Sequence, residues 1–333
     1  MNGTADDPGL FDLLRAGDRG ALARAITLME STRPDDRAGA SALLTKALSH
    51  SGNALRLGIT GIPGVGKSTF IDAFGRHGID KGHRVAVLAM DPSSQRSGGS
   101  ILGDKTRMEE LSRSDNAFIR PTPSSGLLGG VARRTRETIV LCEAAGYDMI
   151  LVETVGVGQN ELEVDRMTDL TLLLMIPGAG DELQGIKRGI MESADVIVLT
   201  KAAVPDPSLH RTARIALLNA IAFLPSRDSG RRPHVLLTDA LTGLGVPELM
   251  QHVTELWTAD SASGYQLRRR QDQNVVWMHH ALREGLIERL VKDTAMMDRI
   301  NALEERVKRG EIGPFQAAAE VLDRFRTDGA PRP

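Results

Sequence analysis

The sequence contains one cysteine, few aromatic residues and no long apolar run. Because Cys142 is the only cysteine in 333 residues, no disulfide can form within one chain, and a reducing cytosol is the expected compartment. Aromatic residues make up 3% of the chain, which argues against the stacking platforms that bind single-stranded nucleic acid. A bilayer span would need a run of about eighteen apolar residues, and the sequence has none. We therefore expect a cytoplasmic protein without a nucleic-acid or membrane partner.

Charge of neither sign is in marked excess. The chain has 41 Lys and Arg against 43 Asp and Glu, which gives a formal net charge of −2. No overall field then draws the protein toward nucleic acid or an acidic membrane. An apolar fraction of 41% and a charged fraction of 25% are typical of a globular protein that buries a large core.

What the chain does have is a phosphate-binding loop. Its residues match the pattern G-x-x-x-x-G-K-[ST]: Gly61, Ile62, Pro63, Gly64, Val65, Gly66, Lys67, Ser68 and Thr69. An apolar run at 55–59 predicts a strand before the loop, and a helical pattern follows it. Glycines let the backbone turn its N–H groups onto an anion, and the helix start adds positive charge. We expect Lys67 to reach the β- and γ-phosphates and Ser68 to bind Mg²⁺. The less favoured alternative is a glycine-rich turn that binds no ligand.

Short apolar runs alternate with helical patterns through the middle of the chain. They predict strands at 55–60, 84–90, 149–153, 170–176, 196–200 and 235–238. These runs are almost wholly apolar, as expected for parallel strands that crossover helices cover on both faces. The predicted fold class is therefore α/β, a mostly parallel sheet flanked by helices, with ligands at the carboxyl ends of the strands.

Helical patterns flank this region on both sides. We predict an N-terminal helical extension at 1–52, a P-loop domain at 53–260, a C-terminal helical extension at 261–326 and a disordered tail at 327–333. A basic triplet at 268–270 lies near the start of the C-terminal extension. We interpret this triplet as a solvated helix start rather than a contact with a nucleotide or partner.

Two acidic residues stand at the ends of predicted strands. Asp91 and Glu153 could each hold Mg²⁺, directly or through water, beside a phosphate-binding loop. Gly156 comes three positions after Glu153, and in GTP-binding folds the N–H of such a glycine contacts the γ-phosphate and re-orients on hydrolysis. Either acid alone could instead cap a helix or form a turn.

Two further loops carry candidate residues. Asp104 lies in a glycine-rich stretch at 97–107, which is either part of the metal shell or a plain flexible loop. The stretch at 177–187, which ends in Lys187, follows another predicted strand. It either changes shape with the state of the nucleotide or simply leads into a helix N-terminus.

Residues that would face a base follow two later strands. Selectivity for guanine usually needs a carboxylate in an Asn-Lys-x-Asp pattern, and here Thr200, Lys201, Ala202 and Ala203 occupy that place. The stem of Lys201 can still lie against the plane of a base, whereas Ala203 offers no carboxylate. A later loop, with Asp239, Ala240 and Leu241, lies where such folds place a backbone N–H against the base oxygen.

Together these strings resemble the MeaB/ArgK-type GTPases, the accessory proteins of methylmalonyl-CoA mutase. The resemblance covers nearly the whole chain and is carried by the segments 58–69, 91–94, 98–108, 118–121, 153–159 and 177–187. It implies a P-loop fold of the signal-recognition-particle and MinD-like (SIMIBI) class and a homodimer formed by the C-terminal helices. The implied activity is slow hydrolysis of GTP, which gates cobalamin loading onto the mutase and protects it. The implied cofactors are GTP or GDP and Mg²⁺.

The resemblance also assigns residues to roles. The Mg²⁺ shell would comprise Ser68, Asp91, Asp104 and Glu153. The catalytic groups would be Lys67, Gly156 and Lys187, the last in a third switch at 181–187 that senses the mutase. The nucleotide would be held by the phosphate-binding loop together with Lys201, Ala203, Asp239, Ala240 and Leu241.

Three departures from the family's pattern bear on these roles. Thr200 and Ala203 replace an Asn and an Asp, and Asp239 replaces a Ser; the change to Asn160 from a Ser is minor. We therefore expect a weakened preference for GTP over ATP. An NTPase with relaxed base specificity, or a nucleotide-binding regulator without significant turnover, is the alternative. A metallochaperone GTPase or a kinase is less favoured, because Cys142 stands alone and no acceptor site is evident.

Overall fold

The computed structural model of the protein describes residues 9–31, 33–91, 108–123, 130–154, 161–177, 188–203 and 207–328. The chain forms two compact units, Met1–Gln273 and Asn274–Pro333. The first unit contains a seven-stranded sheet, and the second is helical in its described part. The division at 52, 260 and 326 that the sequence suggests stays a prediction.

All strand pairs of the sheet are parallel, which confirms the predicted fold class. The strands are β1 (Leu55–Gly61), β2 (Val85–Asp91), β3 (Ala117–Pro123), β4 (Met149–Glu153), β5 (Leu170–Met175), β6 (Val196–Leu199) and β7 (His234–Leu237). Their spatial order is β3-β2-β4-β1-β5-β6-β7. Strand β1 is therefore central, and its register places Ile59 opposite Glu153 of β4. The carboxyl ends of β1 and β4 thus lie side by side.

Strand β3 is absent from the prediction. Its sequence contains Arg120 and two prolines, Pro121 and Pro123, so it lacks the apolar run that marks the other strands. Proline cannot donate to a ladder and is tolerated chiefly at the edge of a sheet, which is where β3 lies. Pairing with β2, which is almost wholly apolar, decides its conformation.

Helices connect and cover the strands. They are α1 (Leu10–Arg15), α2 (Arg19–Glu30), α3 (Asp36–Leu48), α4 (Lys67–Asp80), α5 (Glu109–Ser112), α6 (Gly130–Ala144), α7 (Glu161–Asp165), α8 (Arg188–Ser193), α9 (Pro207–Ala222), α10 (Val246–Ala262), α11 (Tyr265–Lys292), α12 (Thr294–Lys308) and α13 (Pro314–Asp328). The N-terminal helices α2 and α3 pack on α6. Among the residues that the structure describes, no helix combines the length and the apolar character needed to cross a membrane.

The core of the first unit lies between the sheet and helices α4 and α10. Every residue of β1, β4 and β5 is buried. Phe70 and Phe74 of α4 stack at a centroid distance of 5.5 Å in the same core, which Leu249 and Val253 of α10 complete. Strands buried on both faces explain why these runs carry no alternation of polar and apolar residues.

Two arginines at the start of α11 are paired with acids, Asp169 buried and Asp165 half-buried, so the interpretation of the basic triplet as a solvated helix start is wrong for them. Arg270 donates from Nε and Nη2 to Asp169 at 2.7 and 2.6 Å. Arg269 donates to Asp165 at 2.7 Å, and Asp165 also accepts from Arg227 at 2.8 Å. Burial opposes the charge on Asp165, but Arg269 and Arg227 outweigh it, and the pKa of this carboxyl is lowered. Both arginines hold the first turns of α11, which belong to the sheet unit, against the rest of that unit, whereas Arg268 is exposed.

The second unit has a small core of its own. Leu303, Ile312 and Ala317 are buried together between α12 and α13. Helix α12 begins at a cap, since the Asp293 carboxylate accepts from the N–H of Met296 at 3.0 Å. The part of α11 that belongs to this unit exposes several apolar side chains, namely Val275, Met278, Leu282, Leu286, Ile287 and Val291.

Replacing Asp169 with alanine should destabilise the sheet unit strongly. The Asp169 carboxylate accepts from the Arg270 side chain and from the backbone N–H of Arg56. The change to alanine removes this acceptor from both of these buried groups. Breaking a buried pair from one side costs about 3–5 kcal/mol. Urea unfolding of Asp169→Ala and the wild type measures this loss.

The matched control is Glu110→Ala, which removes an exposed ion pair with Arg113 of the same unit. An exposed pair is worth about 1 kcal/mol or less, so this variant should unfold close to the wild type. Equal midpoints for the two variants would contradict a structural role for the Asp169 pair.

Candidate nucleotide-binding site

The phosphate-binding loop lies at the carboxyl end of the central strand. It leaves β1 at Gly61 and enters α4 at Lys67. Gly61 and Gly66 both have positive φ, at 153° and 97°. A Cβ on Gly61 would lie 2.6 Å from the carbonyl oxygen of Leu174, so a side chain there would collide with the backbone of β5. Glycine is thus required for the curl that turns backbone N–H groups toward a ligand.

One apolar residue holds this loop against the core. Val65 is 1% exposed and belongs to the core cluster of the sheet unit. Its N–H donates to the carbonyl oxygen of Ile62 at 3.3 Å, which closes a turn inside the loop. Contacts within the chain therefore hold the curl.

The Lys67 side chain folds back over the loop. Its Nζ donates to the carbonyl oxygens of Gly61 and Ile62 at 2.8 and 3.2 Å. The ammonium group therefore lies against the backbone that would cradle phosphates, at the positive end of α4. This is the position expected of a lysine that contacts the β- and γ-phosphates.

A hydroxyl and a carboxylate face each other beside the loop. Ser68, the second residue of α4, donates from Oγ to Oε1 of Glu153 at 3.4 Å, which is long for such a bond. Glu153 ends β4 and is 9% exposed. Hard oxygen ligands at this spacing fit Mg²⁺, which is usually bound by one or two protein groups together with phosphates and water.

The other predicted residues of this half of the site are only partly described. Asp91 ends β2, the strand that neighbours β4, and the structure describes its backbone. Asp104, Gly156 and Lys187 lie outside the described residues. Their predicted roles therefore remain predictions.

The loop after β6 is fastened to the phosphate-binding loop. Thr200 donates from Oγ1 to the carbonyl oxygens of Val65 and Met175, both at 3.2 Å. Lys201 Nζ reaches the carbonyl oxygen of Gly64 at 3.5 Å. The Thr200 hydroxyl thus links the two loops although the Asn of the usual pattern is missing.

His210 is a residue that the sequence did not single out. It is 3% exposed on α9, and its Nε2 lies 3.2 Å from the carbonyl oxygen of Thr200. The His210 ring therefore holds the backbone of the loop after β6 at Thr200. No motif surrounds His210, so only the tertiary contact identifies it.

The carboxylate of Asp239, in the loop after β7, accepts four hydrogen bonds. Asp239 Oδ1 accepts from the N–H groups of Leu241 and Thr242 at 3.1 and 3.0 Å and from the Thr242 hydroxyl at 3.1 Å. Its Oδ2 accepts from the N–H of Ala203 at 3.2 Å. Burial opposes the charge, yet these donors outweigh it and lower the pKa of Asp239. The carboxylate therefore joins the loops after β6 and β7.

This arrangement defines a P-loop nucleotide-binding protein. A family model described as methylmalonyl Co-A mutase-associated GTPase MeaB matches residues 22–295. The chain belongs to this family of P-loop GTPases, and both the predicted resemblance and the predicted enzyme class are confirmed. Guanine nucleotides are accordingly its ligands.

Known proteins resemble the chain over most of its length. The Mycobacterium tuberculosis protein named Probable GTPase Rv1496 is 51% identical over 318 residues, which cover 95% of this chain and 94% of that protein. GTPase ArgK of Escherichia coli is 48% identical over 277 residues, covering 83% and 84% of the two chains. A crystal structure described as LAO/AO transport system kinase has a TM-score of 0.75 at 36% identity and covers 96% of this chain and 99% of its own.

The base site should discriminate weakly between GTP and ATP. Ala203 carries no carboxylate, and both oxygens of Asp239 already accept from the loops. Losing a bidentate acceptor removes about 2–4 kcal/mol of discrimination. Titration of GTP, ATP and XTP by calorimetry should therefore give a GTP-over-ATP ratio below ~10, and Ala203→Asp should raise it.

A GTP preference of about 100-fold or more in the wild type would contradict this expectation. It would show that a group other than Ala203 and Asp239 reads the base.

Proposed function

We propose that the protein is a Mg²⁺-dependent GTPase that acts as a chaperone of methylmalonyl-CoA mutase or a related cobalamin-dependent acyl-CoA mutase. In this role it gates cobalamin loading and protects the mutase. The observation that carries the proposal is the phosphate-binding loop with Lys67 and the Ser68–Glu153 pair, in a chain of the mutase-associated family.

The residues of the chain divide the chemistry among them. Backbone N–H groups of the loop and Lys67 hold the phosphates and stabilise charge on the γ-phosphoryl group as water attacks in line. Ser68 and Glu153, with Asp91 and Asp104, would hold Mg²⁺, which neutralises charge on the phosphate oxygens. Gly156 and Lys187 would sense the γ-phosphate and the partner.

We assign no residue the role of a general base that activates the attacking water. Glu153 pairs with the Ser68 hydroxyl, and we assign it to the metal rather than to activation of water. A site that relies on positioning and charge alone hydrolyses GTP slowly until a partner completes it. Slow basal turnover therefore fits a protein whose nucleotide state is read by a partner.

Exposed apolar residues of α11 support the proposal of a homodimer. Val275, Met278, Leu282 and Leu286 recur at spacings of three and four residues and are each at least 45% exposed. Such spacing places them on one face of the helix. A contiguous apolar face of this kind marks an interaction surface, and a second copy of the C-terminal extension at 261–326 would cover it.

An NTPase with relaxed base specificity is the second candidate function. Ala203 favours it because it offers no carboxylate, and the carboxylate of Asp239 already accepts hydrogen bonds from both loops. A binding regulator without turnover would share this site, and phosphate release distinguishes it from an enzyme. A metallochaperone role is not favoured by Cys142, which is fully buried and whose pKa is raised by burial.

Adding a methylmalonyl-CoA mutase from the same organism should stimulate hydrolysis. Because partner contacts complete sites of this kind, phosphate release from GTP should rise at least ~10-fold. The two proteins should also co-purify in a nucleotide-dependent manner. A stopped assay of phosphate release with GTP and ATP, each with and without the mutase, measures the stimulation, and chromatography of the mixture with and without nucleotide measures the co-purification.

Unchanged turnover with every cobalamin-dependent acyl-CoA mutase of that organism would contradict the chaperone role. Absence of phosphate release under all conditions, with nucleotide binding retained, would favour the regulator instead.

A further inference from the structure

Helix α9 is apolar on its outer face as well as on the face that it packs against the sheet. The inner face is buried in the core beside β6 and β7 through Leu217 and Ile221, with Leu224 just after the helix. The outer face includes Ile215 and Leu218, which are 54% and 46% exposed. A surface helix ordinarily turns charged and polar residues to solvent. The outer face of α9 departs from this pattern, which marks it as a surface that another molecule covers.

An aromatic side chain extends the outer face just beyond the helix. Phe223 is 83% exposed although the backbone on both sides of it is fixed. Its N–H donates to the carbonyl oxygen of Ala220 at 3.1 Å, and the next residue, Leu224, is buried in the core. The fold itself therefore holds this ring in water. Aromatic residues are enriched at the centres of protein interfaces, where they contribute most to affinity.

Two arginines and no acid lie on α9. Arg211 precedes Ile215 by one turn on the outer face, and Arg214 precedes Leu218 by one turn. Both arginines are exposed, and neither side chain makes an ion pair or a hydrogen bond with the residues that the structure describes. The face thus combines apolar surface with positive charge. Its complement is an apolar surface bordered by carboxylates.

Helix α9 also holds the loop after β6. The helix begins at Pro207, and its buried His210 lies with Nε2 3.2 Å from the carbonyl oxygen of Thr200. Thr200 in turn donates to the phosphate-binding loop at Val65. A molecule on the outer face of α9 would therefore contact the element that holds Thr200 beside the nucleotide site. This place suits a partner whose binding is coupled to that of the nucleotide.

We propose that Arg211, Arg214, Ile215, Leu218 and Phe223 form a docking surface, the α9 face, for the acidic face of a protein partner. This inference rests on the proposed function, whose mutase is the partner to be tested. A second copy of the chain is less suited, because α11 already carries the face proposed for it. An anionic membrane is also less suited, because helices that bind membranes are rich in cations, whereas α9 has two and the chain has a net charge of −2.

Phe223→Ala and the double variant Arg211→Glu with Arg214→Glu test the apolar and the charged parts of the α9 face. Binding to methylmalonyl-CoA mutase of the same organism is measured by surface plasmon resonance, with GDP and with a GTP analogue that is not hydrolysed. Loss of an aromatic anchor should weaken the affinity ~10-fold or more. Reversal of both charges should weaken it ~10-fold, chiefly through slower association, whereas Arg211→Lys with Arg214→Lys should stay within ~3-fold of the wild type.

The matched controls lie toward the opposite edge of the sheet. Helix α9 contacts β7, whereas α2 and α3 pack on α6, which contacts β2 and β3. Leu48→Ala removes an exposed apolar side chain of α3, and Arg24→Glu reverses an exposed charge of α2. Both controls should bind the mutase as the wild type does. All of these side chains are exposed, so Tm should change little in any variant.

Equal affinity of the wild type, Phe223→Ala and the charge reversal would overturn the inference and leave the proposed function in place, as would equal losses in the controls. With mutase affinity unchanged, an altered oligomeric state of Phe223→Ala in sedimentation would assign the α9 face to a second copy. Phe223-dependent binding to vesicles of phosphatidylserine and phosphatidylcholine, again with unchanged mutase affinity, would assign it to a membrane. Failure of the wild type to bind the mutase at all would overturn the proposed function, and this inference with it.

Discussion

The account depends on the backbone curl between β1 and α4. Its N–H groups can face an anion only if Gly61 and Gly66 keep their positive φ, and β5 leaves no room for a Cβ at Gly61. Val65 anchors the curl in the core, so contacts within the chain itself hold the loop in this shape. Lys67 and the start of α4 then add positive charge at the same point. The fold thus supplies the cradle of N–H groups for the phosphates, and the Lys67 side chain supplies a positive charge beside it.

Hydrogen bonds connect the base half of the site to this curl. Thr200 bonds the carbonyl oxygen of Val65, His210 supports Thr200, and Asp239 joins the loop after β6 to the loop after β7. Because the loops after β1, β6 and β7 are hydrogen-bonded one to the next, a change in one loop should shift the others. These bonds hold residues 200–203 in place although Ala203 lacks the carboxylate of the usual pattern.

Much of the fold could be predicted from local sequence. Apolar runs predicted six parallel strands. Strand β3 was not predicted because its sequence contains prolines, which are tolerated here only because the strand lies at the edge of the sheet. The phosphate-binding loop was identified by its motif. The pairing of Arg269 and Arg270 with Asp165 and Asp169 was not predictable, since these partners lie about a hundred residues away. The sequence likewise marked Asp239 as a base-loop residue but could not show which donors engage it. The roles of Asp104, Gly156 and Lys187 stay predictions.

Isothermal calorimetry of nucleotide uptake tests the central claim most directly. The purified wild type should bind GTP and GDP only with Mg²⁺ present, and Lys67→Ala should weaken binding at least ~100-fold. Lys81→Ala, at the exposed opposite end of the same helix, should bind as the wild type does. Absence of Mg²⁺-dependent uptake by the wild type, or undiminished uptake by Lys67→Ala, would contradict the claim that this curl grips a triphosphate.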